Sequence, residues 1–308
     1  MQRDPFVPPI SKLSKEEARR VIELENLRER LSKDGFDAEK ILEYYRDPLF
    51  KIEGSIINYF TGSPETPAAK EKLTYAGYRK KLGLYSKIES APDFMYRHRY
   101  DLCQAEARYG VDKRYLAAIK GIESDFGNNM GTFKAFNALV SACLTPKKEK
   151  FYSQLKYYLR FCEKTGKSVF YYPSSYAGAI GPAQFMPSSI DALFIGKNGD
   201  FNADVMNIID SIYSSAYYLK RNGWNPKLNN QKISEGTHNW RVLKLYNDST
   251  FYVRAVIELA NKAKWNDYDL KGELRPEEKM FIRSISKAFS KTLKDITDTL
   301  VPRWLLDD

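Results

Sequence analysis

The chain is poor in the residues that build metal centres and nucleophilic triads. Its 308 residues include only two histidines, His98 and His238, and neither stands at metal-ligand or triad spacing from a candidate partner. Its cysteines are odd in number, and each lies in an apolar helical context, which predicts core thiols rather than disulfides: Cys103, Cys143 and Cys162. We therefore expect neither a bound metal nor a cofactor.

Long apolar runs and phosphate-binding loops are also missing. Charged residues interrupt every apolar run before the roughly 20 residues that a membrane-spanning helix needs, and Met1–Ile10 lacks the pattern of a secretory signal. No glycine-rich loop of the P-loop or dinucleotide-binding type occurs. We expect no transmembrane segment, and either a cytoplasmic protein or a chain from which a targeting segment or lipid anchor was removed.

The charge balance favours an anionic partner without naming it. Lys and Arg number 49 against 39 Asp and Glu, a formal net charge of +10, which favours approach to a polyanion such as nucleic acid, anionic lipid or cell wall. The basic residues alternate with acidic ones and form no run of five or six, which is typical of solvated helix faces. The 22 tyrosines suit sugar stacking, but core packing explains most of them equally well.

Helical periodicity accounts for most of the chain, and strand-like alternation is scarce. Ser14 and Glu17 predict a capping box ahead of an amphipathic helix that ends at Gly35. A second helix should lie between Asp37 and Pro48. Residues 61–67 are typical of a linker, and the remaining predicted helices span about 68–84, 92–109, 112–124, 147–165, 203–222, 249–264 and 276–294.

One predicted helix carries a carboxylate on its apolar stripe. Asp112 is the expected N-cap, and Leu116, Ile119 and Glu123 then fall at i, i+3 and i+7. Partial desolvation would raise the pKa of Glu123, as a general acid near neutral pH requires. A structural carboxylate paired with a lysine or arginine explains the same spacing. Asp125 points to another side of the helix, which weakens a two-carboxylate glycosidase.

Motifs spread in order over roughly residues 108–262 resemble those of the lytic transglycosylases of the membrane-bound B type, whose core is related to goose-type lysozyme. The most specific is SYAGAIGPAQFMPSS at 175–189, nearly unaltered from the family signature. AAIKGIESDFG at 117–127 resembles the isoleucine-rich helix that ends in the family's catalytic glutamate. The other matching segments are 108–112, 131–142, 217–224, 246–249 and 252–256.

The resemblance implies a mainly α fold and a reaction. A lysozyme-like catalytic core is expected at 101–264, flanked by a helical region at 1–100 and a C-terminal helical segment at 265–308 that packs on it, with at most a small sheet. The implied reaction is a non-hydrolytic cut between N-acetylmuramic acid and N-acetylglucosamine of peptidoglycan. Glu123 would protonate the leaving oxygen and then deprotonate the muramic C6 hydroxyl, which closes a 1,6-anhydro ring.

The resemblance also assigns residues to the substrate cleft. Ser175 and Gln184 match positions that line the sugar subsites. Tyr246 and Asn247 match a pair near the catalytic acid, and Tyr218 matches a tyrosine in the same cleft. These residues are expected to bind glycan rather than to exchange protons.

The chain departs from the family at two places. Lys147 and Lys148 occupy the position of a basic pair that is usually arginine, so a bidentate contact with a substrate carboxylate is weakened. Some members carry a calcium loop resembling an EF-hand where this chain has residues 196–204. Because Lys197 and Asn198 replace acidic ligands there, we predict no tight calcium binding.

Three alternatives stay open from sequence. A muramidase would hydrolyse the same bond with the same glutamate. A catalytically silent glycan-binding scaffold is disfavoured because the acid and the cleft residues occur together, and a nucleic-acid binder rests on charge and aromatics alone. We expect a monomer that binds peptidoglycan glycan strands, not nucleic acid, in the periplasm or outer cell envelope, a location inferred from the substrate.

Overall fold

The computed structural model describes residues 14–62 and 74–300, except for the side chains of 288 and 292–300, and its described part is mainly helical. The prediction of a mainly α fold with a small sheet is confirmed. The helices are α1 (Lys15–Lys33), α2 (Ala38–Arg46), α3 (Gly54–Thr61), α4 (Tyr75–Leu82), α5 (Leu84–Tyr109), α6 (Lys113–Ser124), α7 (Ala135–Cys143), α8 (Lys148–Thr165), α9 (Pro187–Leu193), α10 (Ile208–Arg221), α11 (His238–Tyr246), α12 (Thr250–Lys262), α13 (Asp267–Lys271) and α14 (Pro276–Leu300), with a 3₁₀ turn at Pro226–Leu228.

The described part contains one two-stranded antiparallel sheet. Strand β1 (Phe133–Lys134) pairs with β2 (Pro173–Ser174), so that Phe133 lies opposite Ser174. Isolated bridges from Ser174 to Ile180 and from Ile180 to Phe185 continue the pairing. The non-helical segment 174–185 therefore folds back on itself next to the start of α7.

Helix ends follow the capping chemistry that the sequence predicts. The Ser14 side chain accepts a hydrogen bond from the Glu17 amide, and the Glu17 side chain accepts one from the Ser14 amide, so the capping box is confirmed. The Asp112 carboxylate accepts from the Arg114 amide at the start of α6. Helix α2 ends at Arg46, ahead of Pro48, as predicted.

Several predicted helix boundaries are wrong. The helix predicted from 92 begins at Leu84, and Pro92 lies inside it; burial of Leu84, Phe94 and Met95 offsets the roughly 3 kcal/mol that an interior proline costs. The helix predicted to end at residue 84 ends at Leu82, before a left-handed glycine. The helix predicted from 203 begins at 208, because the Asn207 side chain caps two amides there. Residues 63–67 of the predicted linker and 68–73 of the next helix lie outside the described residues.

Two hydrophobic cores organise the fold. The first core contains apolar residues of α5, α6, α10, α11 and α12, such as Leu116 and Val253. The second core contains those of α1–α3 and α7–α9 together with segment 180–185, such as Leu155 and Phe185. Partly buried Tyr218 and Tyr246 contact both cores. The seam between the cores is where the helix carrying Glu123 meets segment 174–185.

The C-terminal part of the described chain attaches to the first core through α5. Helix α13 packs on α5, and the Glu278 carboxylate accepts a hydrogen bond of 2.6 Å from Arg99. Farther along α14, Phe281 and Phe289 are exposed. No helix in the ranges described is both long and apolar enough to cross a bilayer. The predicted domain boundaries at 100 and 264 stay a prediction.

Candidate active site

Glu123 occupies the last turn of α6, and a tight turn fixes that end of the helix. Asp125 and Phe126 adopt positive φ angles of 50° and 59°, which end the helix directly after Ser124. The buried Ser124 hydroxyl donates to the Pro182 carbonyl at 3.0 Å. This bond joins the end of α6 to segment 174–185, the motif that the sequence marks as most specific.

Glycine at two positions allows this close approach of backbones. Gly181 has φ 71°, and a Cβ atom there would lie 2.0 Å from the Val205 carbonyl oxygen. Gly131 has φ 95°, and a Cβ atom there would lie 2.0 Å from the Ser174 carbonyl oxygen. No other residue type fits either space or backbone conformation. Gly181 within the motif and Gly131 ahead of it thus allow close packing beside Glu123.

The Glu123 carboxyl is partly buried, and its acidity is shifted toward neutrality. Burial raises its pKa from 4.5 to about 7, while the Tyr252 hydroxyl and the Lys120 amine act in the opposite direction. The Tyr252 hydroxyl has no close hydrogen-bond partner among the described residues, so its proton can point toward the carboxyl. A group with a pKa of about 7 can both give and accept a proton near neutral pH.

Three tyrosines surround Glu123, each from a different helix. Tyr78 lies in α4, Tyr246 at the end of α11 and Tyr252 in α12. Burial raises the pKa of all three hydroxyls, and the Glu123 charge adds to the effect. The rings of Tyr246 and Tyr252 stack at 6.4 Å between centroids. The acid therefore lies among aromatic faces and neutral hydroxyls.

A chain of hydrogen bonds runs beside the acid. The fully buried Lys120 donates from Nζ to the Ser215 Oγ at 2.6 Å. Because Tyr246 donates its single proton to the Ala183 carbonyl at 2.8 Å, Ser215 is the donor in its 3.0 Å bond with Tyr246. The chain connects α6 through α10 and α11 to segment 174–185.

Several predicted cleft residues gather at this seam. Gln184 has a positive φ angle of 49°. Its side-chain amide donates to the Gly181 carbonyl at 3.0 Å. Tyr218 donates to the Leu245 carbonyl at 2.6 Å, and its ring lies 5.1 Å from that of Tyr246. Tyr218 and Tyr246 thus lie together, and Tyr246 contacts Ala183 and Phe185, the two residues that flank Gln184 in the chain.

Two further predicted residues lie at the end of α11 and in segment 174–185. Exposed Asn247 follows directly on Tyr246 at the end of α11. The Ser175 hydroxyl accepts a 3.2 Å hydrogen bond from the Ala179 amide in the folded-back segment. Their roles in binding glycan stay predictions.

Lys147 and Lys148 lie apart from this group, at the start of α8. The Lys147 amine lies 5.5 Å from the centre of the Phe60 ring. Lys148 lines an open pocket of about 490 Å³ beside α1 together with Arg30 and Tyr152. None of their described contacts is with Glu123, so any role in binding is at a distance from the acid.

The loop at 196–204 does not suit a calcium ion. Arg108 donates to the carbonyls of Lys197 and Asn198 at 3.0 and 3.4 Å, and the Lys197 amine pairs with Asp101 at 2.7 Å. The Asp210 carboxylate accepts from two loop amides. The Arg108 side chain and two backbone amides thus occupy carbonyl and carboxylate oxygens that calcium would need as ligands. In the described ranges no three His, Cys, Asp or Glu side chains cluster around a possible metal position.

Four residues that shape the environment of Glu123 are not among those predicted from the sequence pattern. Lys120 precedes Glu123 by three residues, a spacing that places two helical side chains side by side, so this neighbour was predictable. Tyr78, Ser215 and Tyr252 come from other helices. No local spacing relates those three to Glu123, and only the packing of the first core brings them together.

The fold and the partly buried acid Glu123 define a mainly α protein with an acid at the seam between two cores. Residues 21–233 match the sequence model of the family described as Transglycosylase SLT domain, and the chain belongs to that family. The resemblance read from the motifs is confirmed.

The chain is similar to several characterised proteins. "Membrane-bound lytic murein transglycosylase B" of Escherichia coli (strain K12) is 26% identical over 200 residues, 63% of this chain and 55% of the relative, so the match spans about half of that protein's length. Soluble lytic transglycosylase SltB1 of Pseudomonas aeruginosa superposes with a TM-score of 0.65 at 24% identity, covering 78% of this chain and 97% of that one. SltB3 of the same organism, in complex with NAG-anhNAM-pentapeptide, gives 0.67 at 19% identity, covering 80% and 82%. The structural likenesses establish the fold.

Proposed function

We propose that this protein is a lytic transglycosylase that cleaves peptidoglycan glycan strands between N-acetylmuramic acid and N-acetylglucosamine. The observation that carries the proposal is Glu123, a half-buried acid whose pKa is raised to about 7. Among the described residues, the groups that act on Glu123 are the Lys120 amine and the Tyr252 hydroxyl rather than a second carboxylate. Membership of the transglycosylase family and the name of the Escherichia coli relative support the same reaction.

The proposed reaction returns the proton to Glu123. The carboxylic acid donates its proton to the glycosidic oxygen, the bond from that oxygen to the muramic C1 breaks, and N-acetylglucosamine leaves with a new hydroxyl. The carboxylate then takes the proton of the muramic C6 hydroxyl as the C6 oxygen bonds to C1. The product is a 1,6-anhydro sugar, and no water is consumed. One residue with a pKa near the working pH serves both steps.

The surroundings of Glu123 support a glycan cleft. Tyr218 and Tyr246 present aromatic faces suited to sugar rings, and Ser175, Gln184 and Asn247 supply polar groups for sugar hydroxyls and acetamido groups. In this proposal Lys147 and Lys148 attract the peptide stem from a distance. The SltB3 relative was solved with a ligand containing anhNAM, the type of sugar that this reaction forms.

The cellular setting follows from the proposed substrate. A net charge of +10 suits anionic murein, and murein lies in the periplasm and outer cell envelope. We place the protein there as a monomer. The predicted division into a catalytic core at 101–264 with flanking helical regions is part of this proposal.

Mass spectrometry of fragments released from purified sacculi tests the function. Glu123→Gln keeps the shape of the acid but cannot donate and recover a proton. Asp125→Asn is the matched control, because Asp125 lies two residues away and pairs with Lys87 at 2.5 Å. We expect anhydromuropeptides from the parent and the Asp125 variant, and none from the Glu123 variant.

Two other results would replace the proposal. Fragments with reducing ends from the parent would identify a muramidase that uses water. Tight binding of sacculi without fragments from any of the three proteins would identify a glycan-binding scaffold.

A further inference from the structure

Lys120 is buried in a way that stability does not explain. Lysine is among the residue types least often buried, yet Lys120 has 0% exposure. Its amine has one hydrogen bond in the described residues, to Ser215, and it takes part in none of the described ion pairs within 4 Å. Removing an ammonium from water with so little compensation lowers the free energy of unfolding.

The position of Lys120 relates it to Glu123. Both residues lie on α6, three apart, so their side chains leave the same face of the helix one turn from each other. Burial lowers the pKa of Lys120 from 10.5 to about 7, while the charge of Glu123 raises it. Lys120 in turn lowers the pKa of Glu123. Each group therefore responds to the charge of the other.

Within the part of the chain that the structure describes, the other titratable groups coupled to Glu123 are hydroxyls that stay neutral. Tyr78 from α4, Tyr246 from α11 and Tyr252 from α12 all have raised pKa values. Helix α10 contributes Ser215, which does not titrate. Lys120 and Glu123 are thus the two groups in this cluster that change charge near neutral pH.

We propose that Lys120 is a positioning residue for the cleavage, acting on Glu123 through its charge and on Tyr246 through Ser215. When Glu123 has given up its proton, the nearby ammonium stabilises the carboxylate that remains. The bond to Ser215 holds the Tyr246 hydroxyl against the Ala183 carbonyl, which fixes the wall of the cleft. This inference rests on the proposed function, because it assigns Lys120 to that same site.

The pH dependence of anhydromuropeptide release measures the effect of the charge. Lys120→Met keeps the length of the side chain but removes the amine, so Glu123 should hold its proton to higher pH. We expect the fall in rate at alkaline pH to move up by about one unit, with a lower rate at neutral pH because the acid is weaker. Lys120→Gln retains a donor for Ser215 without the charge. It should show the same shift in pH and a smaller loss of rate.

A lysine on the same helix provides the control. Lys113 pairs with Glu106 and has no described contact with Glu123, so Lys113→Met should leave the pH dependence unchanged. If the pH dependence of both Lys120 variants coincides with that of the parent, while the parent releases anhydromuropeptides, the inference is wrong and the proposed function stands.

Thermal unfolding tests the buried charge without using activity. The depressed pKa of Lys120 makes the folded state bind fewer protons than the unfolded state between about pH 7 and 10.5, so the destabilisation is full below pH 7 and is lost as the pH rises to 10.5. Lys120→Met should therefore raise the Tm at pH 7, and this gain should shrink as the pH approaches 10.5. A lower Tm with an unchanged pH dependence would make Lys120 a structural residue and overturn the inference. The expected Tm pattern in a parent that forms no anhydro product would sink the proposed function, while leaving the buried charge established.

Discussion

The two cores differ in the types of titratable group that they bury, and burial moves the pKa of an acid or an amine toward neutrality but that of a thiol or a phenol away from it. In the first core, burial brings the pKa values of Glu123 and Lys120 to about 7 from opposite directions. In the second core, burial raises the pKa of Cys162 to about 12 and moves that of Tyr158 well above its usual value. Desolvation favours the neutral form in every case. Burying an acid or an amine therefore creates a group that exchanges protons near neutral pH, whereas burying a thiol or a phenol makes it inert.

The two cores should also differ in whether a truncated side chain lowers activity as well as stability. Leu155 in the second core and Leu116 in the first are both fully buried. Truncation of either to Ala should lower the free energy of unfolding by about 2–5 kcal/mol, measured by denaturant unfolding. Only Leu116→Ala should also reduce the specific activity of the folded protein, because Leu116 lies on the stripe of α6 that positions Glu123. Equal specific activities in the two variants would remove the functional distinction between the cores.

Replacing the acid should stabilise the protein at alkaline pH. Because the folded pKa of Glu123 is raised above 4.5 to about 7, its contribution to stability is full below pH 4.5 and is lost as the pH rises through 7. Glu123→Gln should therefore gain about 1–3 kcal/mol above pH 8 relative to the parent, compared with its difference at pH 4.

Cys162→Ala is the matched variant from the second core. Its effect on stability should stay constant from pH 5 to about 8, since the buried thiol does not ionise in that range. A pH-independent difference for Glu123→Gln as well would show that the acid has an ordinary pKa.

Two tyrosine-to-phenylalanine variants distinguish a hydroxyl that stabilises the fold from one that acts on Glu123. Tyr158 donates to the Val169 carbonyl at 2.7 Å, so Tyr158→Phe should cost about 1 kcal/mol or more. The Tyr252 hydroxyl has no close partner in the described residues, so Tyr252→Phe should cost little. That variant should instead raise the pKa of Glu123 by about half a unit, seen as an upward shift of the alkaline fall in activity. A large loss of stability without such a shift would contradict the assignment of Tyr252 to the site.

Calcium should have the smallest effect of all. Because Arg108 occupies a carbonyl of the loop at 196–204 and the Lys197 amine within the loop pairs with Asp101, millimolar calcium should shift the Tm by less than about one degree. An increase of several degrees that Asp200→Ala abolishes would show that the loop binds the ion.

The sequence predicted what depends on local spacing. The capping box at Ser14, the helical stripe leading to Glu123 and the raised pKa of that acid all follow from neighbours within two helical turns. Lys120 lies on the same helix and could have been recognised as the neighbour of Glu123 from its spacing.

The features that the sequence left unpredicted depend on contacts between distant segments. Ser215 reaches Lys120 across 95 positions, and no periodicity records such a pairing. Helix α5 continues through Pro92 because its buried face outweighs the local preference. The start of α10 is set by the cap at Asn207, a signal that the apolar periodicity alone does not contain.

Burial holds the Glu123 proton near neutral pH. Titration of the side-chain carboxyl ¹³C signals in glutamate-labelled protein tests it directly, with the Glu123→Gln variant identifying the signal that belongs to this residue. We expect a midpoint of about 7. A midpoint near 4.5, the ordinary value for glutamate, would show that burial does not raise the pKa of Glu123. The proton donor of the site would then be unidentified.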